Sequence, residues 1–292
     1  MIYEPAIDVD ALEAIDTHVH IEIDAHGNSS LPDDLTEAAS RYFRTDGPRP
    51  DLDGIAAYYR ERRMAAVVFT VDAETQTGHP AISSHEIADG AARNNDVLIP
   101  FGSVDPHLSD AVERARRLID EGVRGFKFHP TVQGFDPSDE VNYPLYEEIQ
   151  QAAVPALFHT GQTGIGAGLR GGRGLRLALS NPILLDPVAA DFPDLQIILA
   201  HPSFPWQDEA LAVATHKPNT WIDLSGWSPK YFPDALVRYA NSVLKDRVLF
   251  GSDFPLITPD RWVRDAAGTD LKPDVMPGIM KANAARLLGL SR

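Results

Sequence analysis

Apolar and polar positions alternate along the chain in a repeating pattern. Eight short apolar, β-like runs recur: "EAIDTHVH" (13–20), "AAVVFTVD" (65–72), "VLIPFGSVD" (97–105), "VRGFKFHP" (123–130), "VPALFHTG" (154–161), "LQIILAHP" (195–202), "NTWIDLSG" (219–226) and "RVLFGSDFP" (247–255). Helical patterns lie between them, among them "SSHEIADGAARNN" (83–95), "SDAVERARRLIDEG" (109–122) and "YPLYEEIQQAA" (143–153). Such alternation implies βαβ units and a parallel sheet. Eight strands is the count that closes a (β/α)8 TIM barrel. The competing α/β architecture, a doubly wound open sheet, usually carries a glycine-rich nucleotide turn after its first strand, and none is present. The expectation is one barrel domain over residues 1–292. A long insertion after the first strand, residues 22–62, is rich in Asp, Pro and Arg and is expected to form a lid or an oligomer contact. The C-terminal "PGIMKANAARLLGL" predicts a last helix ended by Gly289.

Composition narrows the function. A net charge of −16 over 292 residues argues against nucleic acid or an anionic membrane as general partner. No apolar run reaches 18 residues, and "MIYEPAIDVDALEAID" lacks the basic start of a signal peptide. The chain has no cysteine, which excludes disulfides, a thiol nucleophile and thiolate zinc sites, and fits a cytoplasmic location. Any metal must therefore sit on His, Asp, Glu or a modified Lys.

Candidate chemistry falls where a barrel would place it. "AIDTHVHIEI" (14–23) sets His18 and His20 two apart, so both leave the strand on one face, and two imidazoles at a strand end can hold a metal ion. Alone, the motif fits a surface pair as well. Barrel chemistry gathers at the C-terminal strand ends. There the fourth run carries Lys127 and His129, the fifth His159, the sixth His201 and the eighth Asp253. Alternation sends the bulky Phe126 and Phe128 toward the outer helices and Lys127 and His129 inward. By the same rule Pro155, Leu157 and His159 share an inward face, as do Ile197, Leu199 and His201, and Leu249, Gly251 and Asp253. Surface histidines have no reason to fall at corresponding strand ends, so a metal site is predicted.

The pieces "DTHVH", "GFKFHP", "PALFHTG", "LQIILAHPSFPW", "VLFGSDFP" and "NAARLLGL", in this order over residues 15–290, resemble the amidohydrolase superfamily. In detail they resemble its aminocarboxymuconate-semialdehyde decarboxylase-like branch, the amidohydrolase 2 family. The resemblance implies His18, His20, His159 and Asp253 as ligands of one divalent metal ion. These donors suit Zn²⁺, the expected ion, and also Mn²⁺ or Fe²⁺. It further implies that the metal turns a bound water into hydroxide, which attacks a substrate carbonyl, while Asp253 also takes the proton of that water. His201 is then a catalytic histidine that polarises substrate or orients water, or a second metal ligand as in binuclear members. Lys127 matches the lysine that becomes carboxylated and bridges two metals in binuclear relatives; unmodified, it would bind a substrate carboxylate or pair with an inward acid. His129 is expected to be a strand-end histidine bonded to backbone. Asp16 and Asp105 are expected to tie loops, and Trp206, Trp221 and Trp227 to pack, with Trp206 and Trp227 also placed for substrate contact.

Two enzyme readings share this metal site: a hydrolase, and a non-oxidative decarboxylase of a hydroxybenzoate- or semialdehyde-type acid. A third, from another class, is a metal-binding barrel without catalysis, against which the extra His201 argues. The segment "GLRGGRGLR" (168–176) places Arg170, Arg173 and Arg176 among glycines whose backbone N–H groups suit a phosphate or diphosphate; a flexible loop or subunit contact is the alternative. From "HTGQTGIG" through "GWSPKYFP" the chain is similar to bacterial 4-hydroxyphenyl-β-ketoacyl-CoA hydrolases. That resemblance implies C–C hydrolysis of an aromatic β-ketoacyl-CoA in aromatic compound catabolism. The expected partner is thus a small anionic molecule, an aromatic acyl-CoA or aromatic acid, bound by a homo-oligomer (dimer or tetramer).

Overall fold

The computed structural model describes residues 1–45, 47 and 49–290. All eight predicted strands form, each shorter than its apolar run: β1 (Ala14–His20), β2 (Met64–Phe69), β3 (Leu98–Pro100), β4 (Phe126–Phe128), β5 (Ala156–His159), β6 (Ile197–Ala200), β7 (Thr220–Asp223) and β8 (Val248–Leu249). They shorten because most of the C-terminal ends leave the ladder as loops. All pairings are parallel, in one sheet of β1–β2–β3 and one of β4 to β8 in sequence order. Single bridges span the two seams, Gly102 with Phe126 and Val19 with Phe254. Backbone bonds reinforce them: the Lys127 N–H donates to Gly102 at 2.8 Å and the Asp253 N–H to His18 at 3.0 Å. The chain is thus an α/β (β/α)8 TIM barrel.

One apolar cluster joins Ile15, Val67, Ile99, Leu157, Ile198 and Trp221 across the ring, with Ala284 and Leu288 at its base. The opposite strand faces, including Val68, Phe126, Phe128 and Phe158, pack beneath the helices in two further clusters. The alternation expected for β4, β5 and β8 is therefore present. For β6 it is reversed: Ile197 and Leu199 lie with the helix-facing cluster, and Ile198 and Ala200 point inward. His201 does not inherit its direction from Ile197 and Leu199. It lies beyond the strand with φ +71°, a left-handed conformation that breaks the alternation.

Residues 22–62 contain two helices, α1 (Asp33–Phe43) and α2 (Leu52–Glu61). Asp51 caps α2 by accepting from the Gly54 N–H at 2.9 Å, and Ile55, Ala56 and Tyr59 bury its inner face. This second helix packs into the barrel wall, whereas α1 borders the cleft described below. The C-terminal segment forms one wide turn (Gly278–Ala282) and a short helix (Asn283–Leu287), followed by Gly289 at φ +64°. Among the described residues no helix is long and apolar enough to cross a membrane.

Candidate metal centre

A β-bulge in β1 aims the two histidines. Asp16 pairs with Ala66 and Val19 with Val68, so three steps on β1 match two on β2. The extra residue changes the pleat. Ile15 faces the ring interior and Val19 the helices, yet His18 and His20 both reach the site. Asp16 secures the bend: its carboxylate accepts from the backbone N–H of His18 (3.1 Å) and Ser252 (2.9 Å) and from the Tyr59 hydroxyl (2.7 Å). Burial pushes its pKa up to about 6 against those bonds.

Three donor atoms converge. His18 Nε2 lies 3.2 Å from His20 Nε2 and 3.4 Å from Asp253 Oδ1, and His20 Nε2 lies 3.2 Å from the same oxygen. Atoms bound about 2.1 Å from one ion at tetrahedral angles lie about 3.4 Å apart. The triangle therefore fits a divalent metal. Asp253 reaches it with φ +75°, an uncommon backbone state for a residue other than glycine. Burial would raise its carboxyl, but the His20 hydrogen bond and the electrostatic attraction of its basic neighbours hold it below the usual carboxylate range. Burial, with Lys127 nearby, holds His18 well below the usual imidazole value. His18 is thus a neutral imidazole and Asp253 an ionised carboxylate, the forms that bind metal.

Asp223, at the end of β7, completes the mounting of His18. Its Oδ2 lies 2.6 Å from His18 Nδ1, and both side chains are shielded from water. Burial pushes Asp223 up to about 8, so the pair shares a proton at neutral pH; a cation on Nε2 places that proton on Nδ1. Gly251 makes room, since a Cβ there would lie 2.2 Å from Asp223 Oδ1. This residue did not emerge from the sequence reasoning, although a signal existed: in register Asp223 stands beside Ala200, itself beside His159.

Lys127 is fully buried, with Nζ 3.1 Å from His18 Nε2 and 4.9 Å from the Phe69 ring centre. Burial lowers its pKa to about 7 against the attraction of Asp253 and Asp223. His159 lies outside the triangle. Its Nδ1 is 3.0 Å from His201 Nε2, its ring stacks on His129 at 3.8 Å, and its buried Nε2 has no hydrogen-bond partner. That orphaned nitrogen fits a further metal ligand. Burial lowers His201 to about 4, and its Nδ1 lies 2.9 Å from Ser225 Oγ. Gly226 permits this placement, because a Cβ there would lie 2.5 Å from His201 Nδ1.

A cleft of about 920 Å³ opens above these groups. His20, His129, His159, His201 and Asp253 line its polar end, and Leu31, Phe43, Val71, Ile165 and Trp227 contribute apolar wall. The walls meet where the Tyr42 hydroxyl of α1 donates to Gln162 Oε1 at 2.9 Å. Trp227 thus reaches the cleft; Trp206 is not in its lining and precedes the helix Gln207–His216. Arg170, Arg173 and Arg176 are exposed and outside the lining. Arg173 Nε donates to Asp34 of α1 at 2.7 Å, and neighbouring Leu175 packs behind the wall residues Val132 and Ile165. Trp221 is interior packing, and Asp105 ties loops by accepting from the Thr75 and His107 N–H groups.

A parallel eight-stranded barrel with a His–His–Asp triangle at its strand ends is the architecture of a metal-dependent amidohydrolase-type enzyme. The family model for amidohydrolases matches residues 15–290, and the chain belongs to that family. No curated protein matches it by sequence. Among solved structures, an uncharacterized TIM-barrel protein from Bordetella bronchiseptica is 23% identical, with 94% of this chain and 98% of that chain covered and a TM-score of 0.77. A dihydroxybenzoic acid decarboxylase from Polaromonas, with bound manganese and the inhibitor 2-nitroresorcinol, is 16% identical (96% and 98% covered, TM-score 0.65). A probable 2-pyrone-4,6-dicarboxylic acid hydrolase from Acinetobacter baumannii, with citric acid bound, is 13% identical (95% and 100% covered, TM-score 0.61).

Proposed function

We propose that this enzyme is a hydrolase that adds water to the ketone of an aromatic β-ketoacyl-CoA and breaks the adjoining C–C bond. The observation that carries the reading is the donor triangle at the polar end of an apolar-walled cleft, whose lining residues Gln162 to Ile165 begin the segment that bears three exposed arginines. His18, His20, Asp253 and His159 would hold the ion, which supplies Lewis acidity and a more acidic water when bound. Asp253, held ionised, accepts the proton of the attacking water at its carboxylate. His201, neutral and braced by Ser225, orients that water or donates toward the ketone oxygen as charge develops there. Phe43, Ile165 and Trp227 enclose the aromatic ring and exclude water around it.

The reaction balances without a further reactant. Water oxygen bonds to the ketone carbon, and the electron pair of the breaking C–C bond passes to the CH₂ carbon as the thioester enolate. A proton on that carbon then gives acetyl-CoA beside the aromatic carboxylate. Arg170, Arg173 and Arg176 serve the diphosphate end of the substrate in this reading.

A second reading draws on the position of the arginines outside the cleft lining. A small hydroxybenzoate-type acid would fit within the walls and lose CO₂ without touching that loop. Product analysis in H₂¹⁸O separates the two. The hydrolase places ¹⁸O in the aromatic carboxylate, whereas CO₂ release without that label eliminates it.

A further inference from the structure

His129 lines the cleft but belongs neither to the donor triangle nor to the His201–Ser225 pair. It follows β4 and is almost fully buried, its ring stacked on His159 at an interplanar angle of 10°. Its backbone is clamped: the His129 N–H donates to Gln133 Oε1 at 2.8 Å, and the Gln133 amide donates to the Asp72 and Val104 carbonyls at 2.7 and 3.0 Å. On the ring, Nδ1 is a second, longer acceptor (3.4 Å) for the Val132 N–H, whose main bond is to the His129 carbonyl at 2.9 Å. A backbone N–H can only donate, so this contact turns the Nδ1 lone pair toward Val132 and leaves Nε2, which meets no hydrogen-bond partner among the described residues, as the ring's donor. A second polar group of the same cleft lacks a partner, the Thr70 hydroxyl at the end of β2, 1% exposed. The cleft thus offers polar contacts beyond its metal end.

We propose that His129 is a catalytic residue whose Nε2–H donates to the thioester oxygen of the substrate, away from the metal triangle. The proposal rests on the C–C hydrolysis reading. In that reaction the electron pair of the breaking bond delocalises onto the thioester oxygen, and a prepositioned donor lowers the barrier. The N–H keeps its proton throughout; the CH₂ carbon is protonated from the water consumed.

The test uses the holoenzyme with benzoylacetyl-CoA. His129→Phe keeps an aromatic ring against His159 but removes the donor, and should cut kcat by about 10²- to 10³-fold with little change in KM. Metal content should stay at the wild-type level. His129→Gln, which restores an N–H, should recover at least roughly tenfold of that loss. A phenylalanine variant within about threefold of wild-type kcat, or one that loses its metal, overturns the proposal. An independent arm follows the histidine ring nitrogens by ¹⁵N NMR in zinc-loaded protein. His129 should show a protonated Nε2 whose resonance moves when benzoylacetone, a β-diketone without the thioester, is added. An unprotonated Nε2, or one that does not move, overturns the assignment even if the wild type proves inactive on the thioester. If instead it moves while the thioester is not cleaved, the donor assignment stands and only the choice of reaction falls.

Discussion

At the base of the cleft, His18 is held between Asp223 and Lys127 with all three side chains out of reach of water; on the surface outside the cleft lining, Arg173 and Asp34 meet at 2.7 Å in solvent. The contacts are similar in length and differ in worth. An exposed ion pair contributes about 0–1 kcal/mol, while removing one partner of a buried pair costs about 3–5 kcal/mol because a charge is left stranded. The base is therefore rigid and intolerant, suited to chemistry. The surface pair can separate at little cost.

The largest effect should come from dismantling the triangle. His18→Ala combined with His20→Ala should take bound metal from about one equivalent to almost none by elemental analysis. Full occupancy in that variant would mean the site lies elsewhere. Asp253→Asn should abolish turnover, since the proton acceptor is lost, and should weaken metal binding, since a charged donor becomes a neutral amide oxygen.

His201→Asn should retain the metal yet lower kcat by about 10²-fold or more, the scale of an acid–base group. Loss of metal would instead indicate a binuclear centre, and Lys127 should then carry the added mass of a carbamate.

Asp223→Asn tests the mounting of the base. It should weaken metal affinity by about 10- to 100-fold, read by competition with a chelator, while leaving the donor atoms present. An unchanged affinity would reduce Asp223 to packing.

Acid should loosen the base. His18, His129, His159 and His201 all have folded-state pKa values below the ordinary 6.5, His201 at about 4, chiefly through burial. A depressed histidine stabilises the fold above its unfolded pKa and loses that contribution as pH falls toward the folded value. The raised carboxyls of Asp16, Glu22, Asp72 and Asp223 act in the opposite sense. Three of the four histidines are held well below the ordinary value and so lose stability across the whole interval, and Tm of the metal-free protein should fall between about pH 6.5 and 5. A Tm that rises over that interval would show that the carboxyls dominate.

The smallest effect belongs to the arginine loop. Arg173→Ala should shift stability by less than about 1 kcal/mol. Replacing Arg170, Arg173 and Arg176 together should raise KM for a CoA substrate far more than for a truncated thioester. Equal effects on both would detach this loop from substrate recognition.

The same contrast separates what was readable from the chain. The strand count, the parallel order and the inward set at β4, β5 and β8 followed from the periodicity of apolar positions, because each core face imposes a repeat of two. So did the candidate donors, which are rare residue types at matching strand ends. The direction of His201 did not follow. A single left-handed residue outside the strand sets it, and local alternation carries no information about that. Nor did the β1 bulge, which appears only when Asp16 and Val19 are paired against Ala66 and Val68. Asp223 lay in view as a strand-end acid but acquires its role from His18, 205 positions earlier. Chain patterning thus determined the barrel and nominated the metal donors, since burial periodicity and side-chain chemistry are local properties. Tertiary structure alone decided that His18, His20 and Asp253 converge, that His129 lines the cleft, and that Arg173 grips Asp34. Those outcomes depend on distances of a few ångströms between residues far apart in sequence.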